Sequence, residues 1–243
     1  MSRNVTLLEL RESIVYQTDN AGATARHAPT LVNRLINQSL QRFRERLSEE
    51  GATHFLASTT GTLGVGATSP YPGYVLDLTA VSPGVVRIYG IDITVSGEVR
   101  TLQHVPFNER NSYGGGASKG IPVAWAPFNT AKAMILPPAG SVYAYCVWYL
   151  PVLSDLATDA ATWDGVAGWE EFVKWDVSCQ LIVRDQYPTA YSMAVSYKKE
   201  VWDDILRAAT KVTLAGGATI GRDSFGERLA SLPAKQLPPP PWG

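Results

Sequence analysis

Two pairs of helical stripes stand far apart in this chain, and a long β-rich centre separates them. Val5 to Thr18 carries Leu7, Leu10 and Ile14 at helical spacing, and Asp19-Asn20-Ala21-Gly22 stops that helix with turn residues. Pro29-Thr30 restarts the chain. Leu31, Leu35, Ile36, Leu40, Phe43 and Leu47 then form one stripe up to about Glu50, with Gly51 placed as the left-handed residue after the helix. A third stripe runs through Trp169, Phe172, Val173, Asp176, Val177, Gln180 and Leu181. After Pro188 a fourth follows: Tyr191, Ala194, Val195, Lys198, Trp202, Ile205, Leu206 and Ala209. Neither hairpin can bury its stripe alone.

The expectation is therefore an α+β protein. An antiparallel four-helix bundle carries a large β-rich insertion between its second and third helices and ends in an extended C-terminal arm. The divisions are residues 1–53 and 154–212 for the two halves of the bundle, 54–153 for the β insertion and 213–243 for the arm.

Within the insertion the strand candidates are Tyr74–Leu78, Val85–Val95, Arg100–Val105, Val123–Phe128, Lys132–Leu136 and Tyr143–Leu150. They are rich in β-branched and aromatic residues and are punctuated by proline and glycine. Ser96-Gly97 reads as a hairpin turn. The stretch Gly114 to Gly120 reads as a mobile loop. After Thr213 the helical period ends. Leu232-Pro233-Ala234-Lys235-Gln236-Leu237-Pro238-Pro239-Pro240-Pro241-Trp242-Gly243 favours a polyproline II arm.

Composition narrows the function classes. The 243 residues are 45% apolar and 18% charged, so the chain can build a core and bulk disorder is not expected. The net charge of -1 gives no general affinity for nucleic acid. Cys146 and Cys179 lie in apolar settings and read as buried thiols of a reducing compartment; too few cysteines are present for a zinc ribbon. No run approaches the roughly 18 apolar residues of a membrane span. Met1 to Leu10 lacks a basic region followed by an apolar core, so no signal peptide is expected.

No catalytic, cofactor or metal site is legible. His27, His54 and His104 are scattered and none shares a helix face with another. Gly61-Thr62-Leu63-Gly64-Val65-Gly66 has the wrong spacing for a dinucleotide loop, and Gly116-Ala117-Ser118-Lys119-Gly120 lacks the residue order of a P-loop. The expectation is a protein that is not an enzyme and holds no cofactor.

Two charged groups stand out. Asp164, Glu170, Glu171 and Asp176 cluster near a helix start, where capping by negative charge is one account and an acidic channel wall that repels DNA is another, with Asp164, Glu170 and Glu171 as its candidates. Arg34, Arg42, Arg44 and Arg46 crowd the second helix and could touch phosphates, but they interleave with Glu45, Glu49 and Glu50, which favours a solvated or subunit-pairing face.

Several segments in this order resemble the head-to-tail adaptor (connector) proteins of tailed bacteriophages. Leu8-Glu9-Leu10-Arg11-Glu12-Ser13 and Leu31-Val32-Asn33-Arg34-Leu35-Ile36-Asn37-Gln38-Ser39-Leu40 are similar to the family's opening pair of helices. Glu50 to Phe55 sits where that family leaves its second helix. Phe107-Asn108-Glu109-Arg110-Asn111, Trp148-Tyr149-Leu150-Pro151 and Asp164-Gly165-Val166-Ala167-Gly168-Trp169-Glu170-Glu171 resemble recurrent segments further on. The resemblance covers roughly residues 4 to 212.

The resemblance implies a structural virion protein at the head-tail junction, assembled in the host cytoplasm. A ring, of twelve copies by that analogy, would dock under the portal protein, extend the channel for double-stranded DNA and present a platform to tail or nozzle proteins. Leu229, Leu232, Leu237 and Trp242 are the anchors by which the arm would dock on the portal or a neighbouring copy. A reading from another class is a tail-associated carbohydrate- or receptor-binding β module on a helical stalk, with Trp125, Trp148 and Tyr149 as exposed aromatic platforms.

Overall fold

The computed structural model describes residues 4–18, 27–65, 74–113, 119–163, 165–185 and 188–215. The arm anchors Leu229, Leu232, Leu237 and Trp242, the acid Asp164 and most of the expected glycine-rich loop lie outside these residues.

The chain opens with a short strand, β1 (Val5–Thr6), and enters α1 (Leu7–Gln17) directly. Thr6 and Glu9 form a capping box. The Glu9 amide donates to Thr6 Oγ1 at 3.1 Å and the Thr6 amide to Glu9 Oε2 at 2.8 Å. In α2 (Pro29–Glu49), proline occupies the first turn, where its missing amide costs nothing. Gly51, at φ 87°, turns the chain out of that helix.

Ten strands and a 3₁₀ helix (Phe107–Tyr113) are among the described residues, together with four α-helices. One sheet has the order β2 (Ala57–Leu63), β9 (Tyr143–Pro151), β4 (Val85–Val95) and β5 (Glu98–Thr101), antiparallel throughout. The other has the order β3 (Tyr74–Asp77), β8 (Lys132–Leu136), β7 (Ala124–Asn129) and β6 (Gln103–His104), with β6 parallel to β7. Ser96 and Gly97 both have positive φ, 53° and 86°, so the β4–β5 hairpin turns as its sequence requires.

The two sheets form a sandwich. Ile91, Ile93, Val147 and Tyr149 of the first face Leu76, Trp125, Ala133 and Ile135 of the second. The outer face of the second sheet is buried as well: Ala124, Ala126, Met134 and Leu136 lie under Val105 and Tyr113. That accounts for the nearly unbroken apolar run of β8, which is buried on both faces.

The remaining strand, β10 (Thr162–Trp163), pairs with β1. The last helices are α3 (Glu170–Arg184) and α4 (Pro188–Ala215). A separate core joins Leu10 and Ile14 of α1, Ile36 and Phe43 of α2, Val173 and Val177 of α3, and Trp202 and Ile205 of α4.

The expected antiparallel four-helix bundle with a β insertion is not what forms. The helices do not enclose their core by themselves. Leu156 and Trp163, from the segment that returns from the sandwich, and Phe55, ahead of β2, fill it together with them. The β1–β10 ladder is therefore part of the helical half, and the strands divide among three sheets rather than one insertion. The helices also differ widely in length, at 11, 21, 15 and 28 residues, so long stripes are completed by non-helical chain. What remains of the expectation is the α+β class.

The returning segment is held by polar groups of α1 and α2, most of which act on its backbone. The Leu156 amide donates to Asn37 Oδ1 at 2.9 Å, and Asn37 Nδ2 donates to the Leu156 carbonyl at 3.4 Å. The Leu153 amide donates to Gln41 Oε1 at 3.2 Å. Arg11 grips Asp159 with two bonds of 2.8 and 2.9 Å, and the Leu7 and Leu8 amides donate to the carbonyls of Ala161 and Asp159. Close packing at its end needs glycine, because a Cβ at Gly165 would run into the Trp163 ring.

Asn37→Ala leaves the Leu156 amide and carbonyl without these partners. We expect a loss of about 1–3 kcal/mol in denaturant unfolding. Asn37→Asp keeps the acceptor and should lose less.

Candidate interaction surfaces

The three histidines occupy three separate places. His27 Nε2 lies 3.3 Å from Asp185, which caps α3. The His54 ring lies 4.9 Å from Trp169, and its Nδ1 is buried without a hydrogen-bond partner. The His104 ring lies 4.7 Å from Trp125, in a groove between α2 and the sandwich that Glu45, Glu49, Arg87 and Tyr89 also line. Burial pushes His54 below the ordinary histidine range; burial and then the charge of Arg87 do the same to His104. Among the described residues no three His, Cys, Asp or Glu side chains converge on a metal-sized site, and no helix is long and apolar enough to cross a membrane.

Cys179 is buried and Cys146 half-buried. Burial raises both thiols above their usual range, which disfavours the reactive thiolate. Gly61 to Leu63, weighed as part of a nucleotide loop, lie inside β2.

The acidic residues disperse. Glu170 is only 5% exposed, and its carboxylate accepts from the Gly168 amide at 2.6 Å, so it serves the start of α3 rather than solvent. Glu171 pairs with Lys174 at 2.6 Å. Asp176 is buried between Arg42 at 3.2 Å and Lys198 at 3.4 Å and so ties α2, α3 and α4 together. A channel wall built from these acids thus loses Glu170 to burial, and Glu171 has its charge matched locally.

The arginines of α2 also turn to partners within the chain. Arg46 lies 4.2 Å from the centre of the Trp202 ring and Arg44 5.0 Å from that of Phe55. Arg42 meets Asp176. Arg34 is exposed and lines an open groove of about 930 Å³ beside the returning segment, with Gln38, Asp155 and Gln180. The guanidinium stems cover the aromatic core, a role that charge patterning alone does not reveal.

Exposed apolar side chains are spread over the described residues, Tyr16 of α1 and Val99 of β5 among them, and they gather most closely in two places. One is the α3–α4 hairpin, with Val183, Tyr191, Met193 and Tyr197. The other is the sandwich, where Ile121, Val123 and Val142 lie on segments brought together by the Gly120–Ala139 bridge. Of the three aromatic platforms weighed for carbohydrate binding, Trp125 and Tyr149 are buried between the sheets. Trp148 alone is exposed, at 39%, and its Nε1 donates to Asp92 at 2.7 Å.

No family model and no curated protein matches the chain.

Because His54, partly buried with its Nδ1 unpartnered, favours the neutral form, the unfolded chain binds more protons than the folded one as pH falls below about 6.5. Stability is fully present above that pH and is lost below it, towards the depressed folded value. Urea midpoints measured from pH 7.5 down to 5 should fall, and His54→Gln should flatten the acid-side slope.

Proposed function

We propose that this protein is a structural component of a tailed-phage virion, a head-to-tail adaptor that assembles as a ring under the portal. The ring extends the DNA channel and offers its outer end to tail or nozzle proteins. Its partners are the portal, further copies of itself, the tail components and the DNA that passes without sequence-specific binding.

The observation that carries this reading is that each of two modules with separate cores presents a group of exposed apolar side chains. One patch lies on the α3–α4 hairpin and one on the sandwich. A bridging protein needs two such surfaces, held at fixed positions and able to lose water to different partners. The order of segments that resemble the adaptor family supports the same reading. Ring assembly follows when unlike surfaces of successive copies meet and the rotation closes.

A second reading has one observation in its favour. Trp148, exposed and fixed by Asp92, offers an aromatic face with a carboxylate beside it on a sheet of Ser and Thr residues, which suits a sugar. Under this reading the protein is a tail-associated carbohydrate- or receptor-binding module.

Electron cryo-microscopy of the purified protein mixed with its cognate portal ring separates the two. The expected result is a second ring stacked coaxially on the portal, absent when the portal is omitted. A folded protein that ignores the portal but binds host surface glycans, with binding lost in Trp148→Ala, would overturn the adaptor reading in favour of the second.

A further inference from the structure

The α3–α4 hairpin leaves an aromatic ridge exposed. Met193 and Tyr197 lie one turn apart on α4, 57% and 46% exposed, and the Tyr197 ring stacks on Trp175 of α3 at 5.0 Å and 22°. Tyr191, 40% exposed, lies on another face of the same helix. Exposed tyrosine and methionine grouped on one short stretch of helix are the residues that bind other chains with little entropy cost or with adaptable packing.

The same sequence contains a segment with matching chemistry. Leu232 to Gly243, outside the described residues, carries a single charge, Lys235, and contains Leu237-Pro238-Pro239-Pro240-Pro241-Trp242. Proline runs favour polyproline II, which enters a complex with little conformational entropy left to lose, and such helices dock on surfaces built from aromatic rings.

Chain length permits the contact. Tyr197 and Ala215 are separated by about 27 Å of helix at 1.5 Å per residue. Residues 216–231 span up to about 53 Å when extended at roughly 3.3 Å per residue. The proline segment can therefore return along α4 to the ridge or cross to a neighbouring copy.

We propose that residues 232–242 of this chain dock on the ridge formed by Trp175, Met193 and Tyr197. The prolines lie against the rings, and Leu237 and Trp242 cover Met193 and Tyr197. The contact needs no portal, so it stands or falls separately from the adaptor reading.

The test uses the full-length protein with Trp242→p-benzoylphenylalanine, irradiated and mapped by mass spectrometry in an equal mixture of ¹⁴N and ¹⁵N protein. Crosslinks should land within residues 175–197, and the isotope pattern states whether they join one chain or two. Met193→Ser together with Tyr197→Ser should lower the yield at least about tenfold, since each removes an interface anchor of ordinary strength. Both side chains are exposed, and unchanged circular dichroism and melting confirm that the fold is kept. Crosslinks that fall on the sandwich or scatter over the chain overturn the proposal. So does a yield that the double substitution leaves unchanged.

Discussion

The helical half of this protein depends on one side chain. Phe43 is fully buried near the middle of α2, and its ring centre lies 5.3 to 6.1 Å from those of Phe55, Trp163, Trp169, Phe172 and Trp202. Those five rings come from four other parts of the chain: the exit from α2, the β10 strand, the start of α3, and the middle of α4. Aromatic pairs at such separations contribute about 0.5–1.5 kcal/mol each beyond the area they bury. Segments more than a hundred residues apart are thus joined through a single ring. Arg44 and Arg46 cover two of its neighbours with guanidinium groups, so the cluster is closed towards solvent by charge rather than by more apolar chain.

Around that cluster, polar side chains of the helices are used to hold backbone. Asn37 and Gln41 treat the returning segment as a bound peptide, and Arg11 fixes Asp159. This explains why the second helix is so polar on the flanks of its stripe. It also gives the sandwich a defined position, since the chain leaves the helical core at Ala52–Phe55 and re-enters along the held segment. The Arg87–Glu49 pair at 3.3 Å adds a direct tie, although both groups are exposed and such a pair contributes little.

Helical stripes were legible because period and burial agree: Leu35, Ile36, Leu40, Phe43 and Leu47 are all buried. The strands Val85–Val95 and Lys132–Leu136 were legible to the residue, being dense in β-branched and apolar side chains. The strand Ala57–Leu63 was not. Its alternation is carried by Ser and Thr outward against Thr and Gly inward, which leaves almost no hydropathy contrast. Two-residue strands such as Thr162–Trp163 lie below any periodic signal, so a helical period alone points to a bundle where a strand completes the core. The charged residues of the candidate surfaces were legible as charges but not as partners. Nothing local in the sequence says that Arg46 meets Trp202 or that Glu170 turns inward to the Gly168 amide.

The sandwich has its own core between its sheets, built from residues that the Phe43 cluster does not share. The protein is therefore two separately packed modules, one closed by Phe43, linked by a held segment. Hydrogen–deuterium exchange of Phe43→Ala against the unaltered protein tests this most directly. A substitution of this kind costs about 3–5 kcal/mol. The account requires protection to fall together in α1, α2, α3, α4 and the β10 strand, while amides of β4, β8 and β9 keep theirs. Equal loss across both modules, or loss confined to α2, would contradict it.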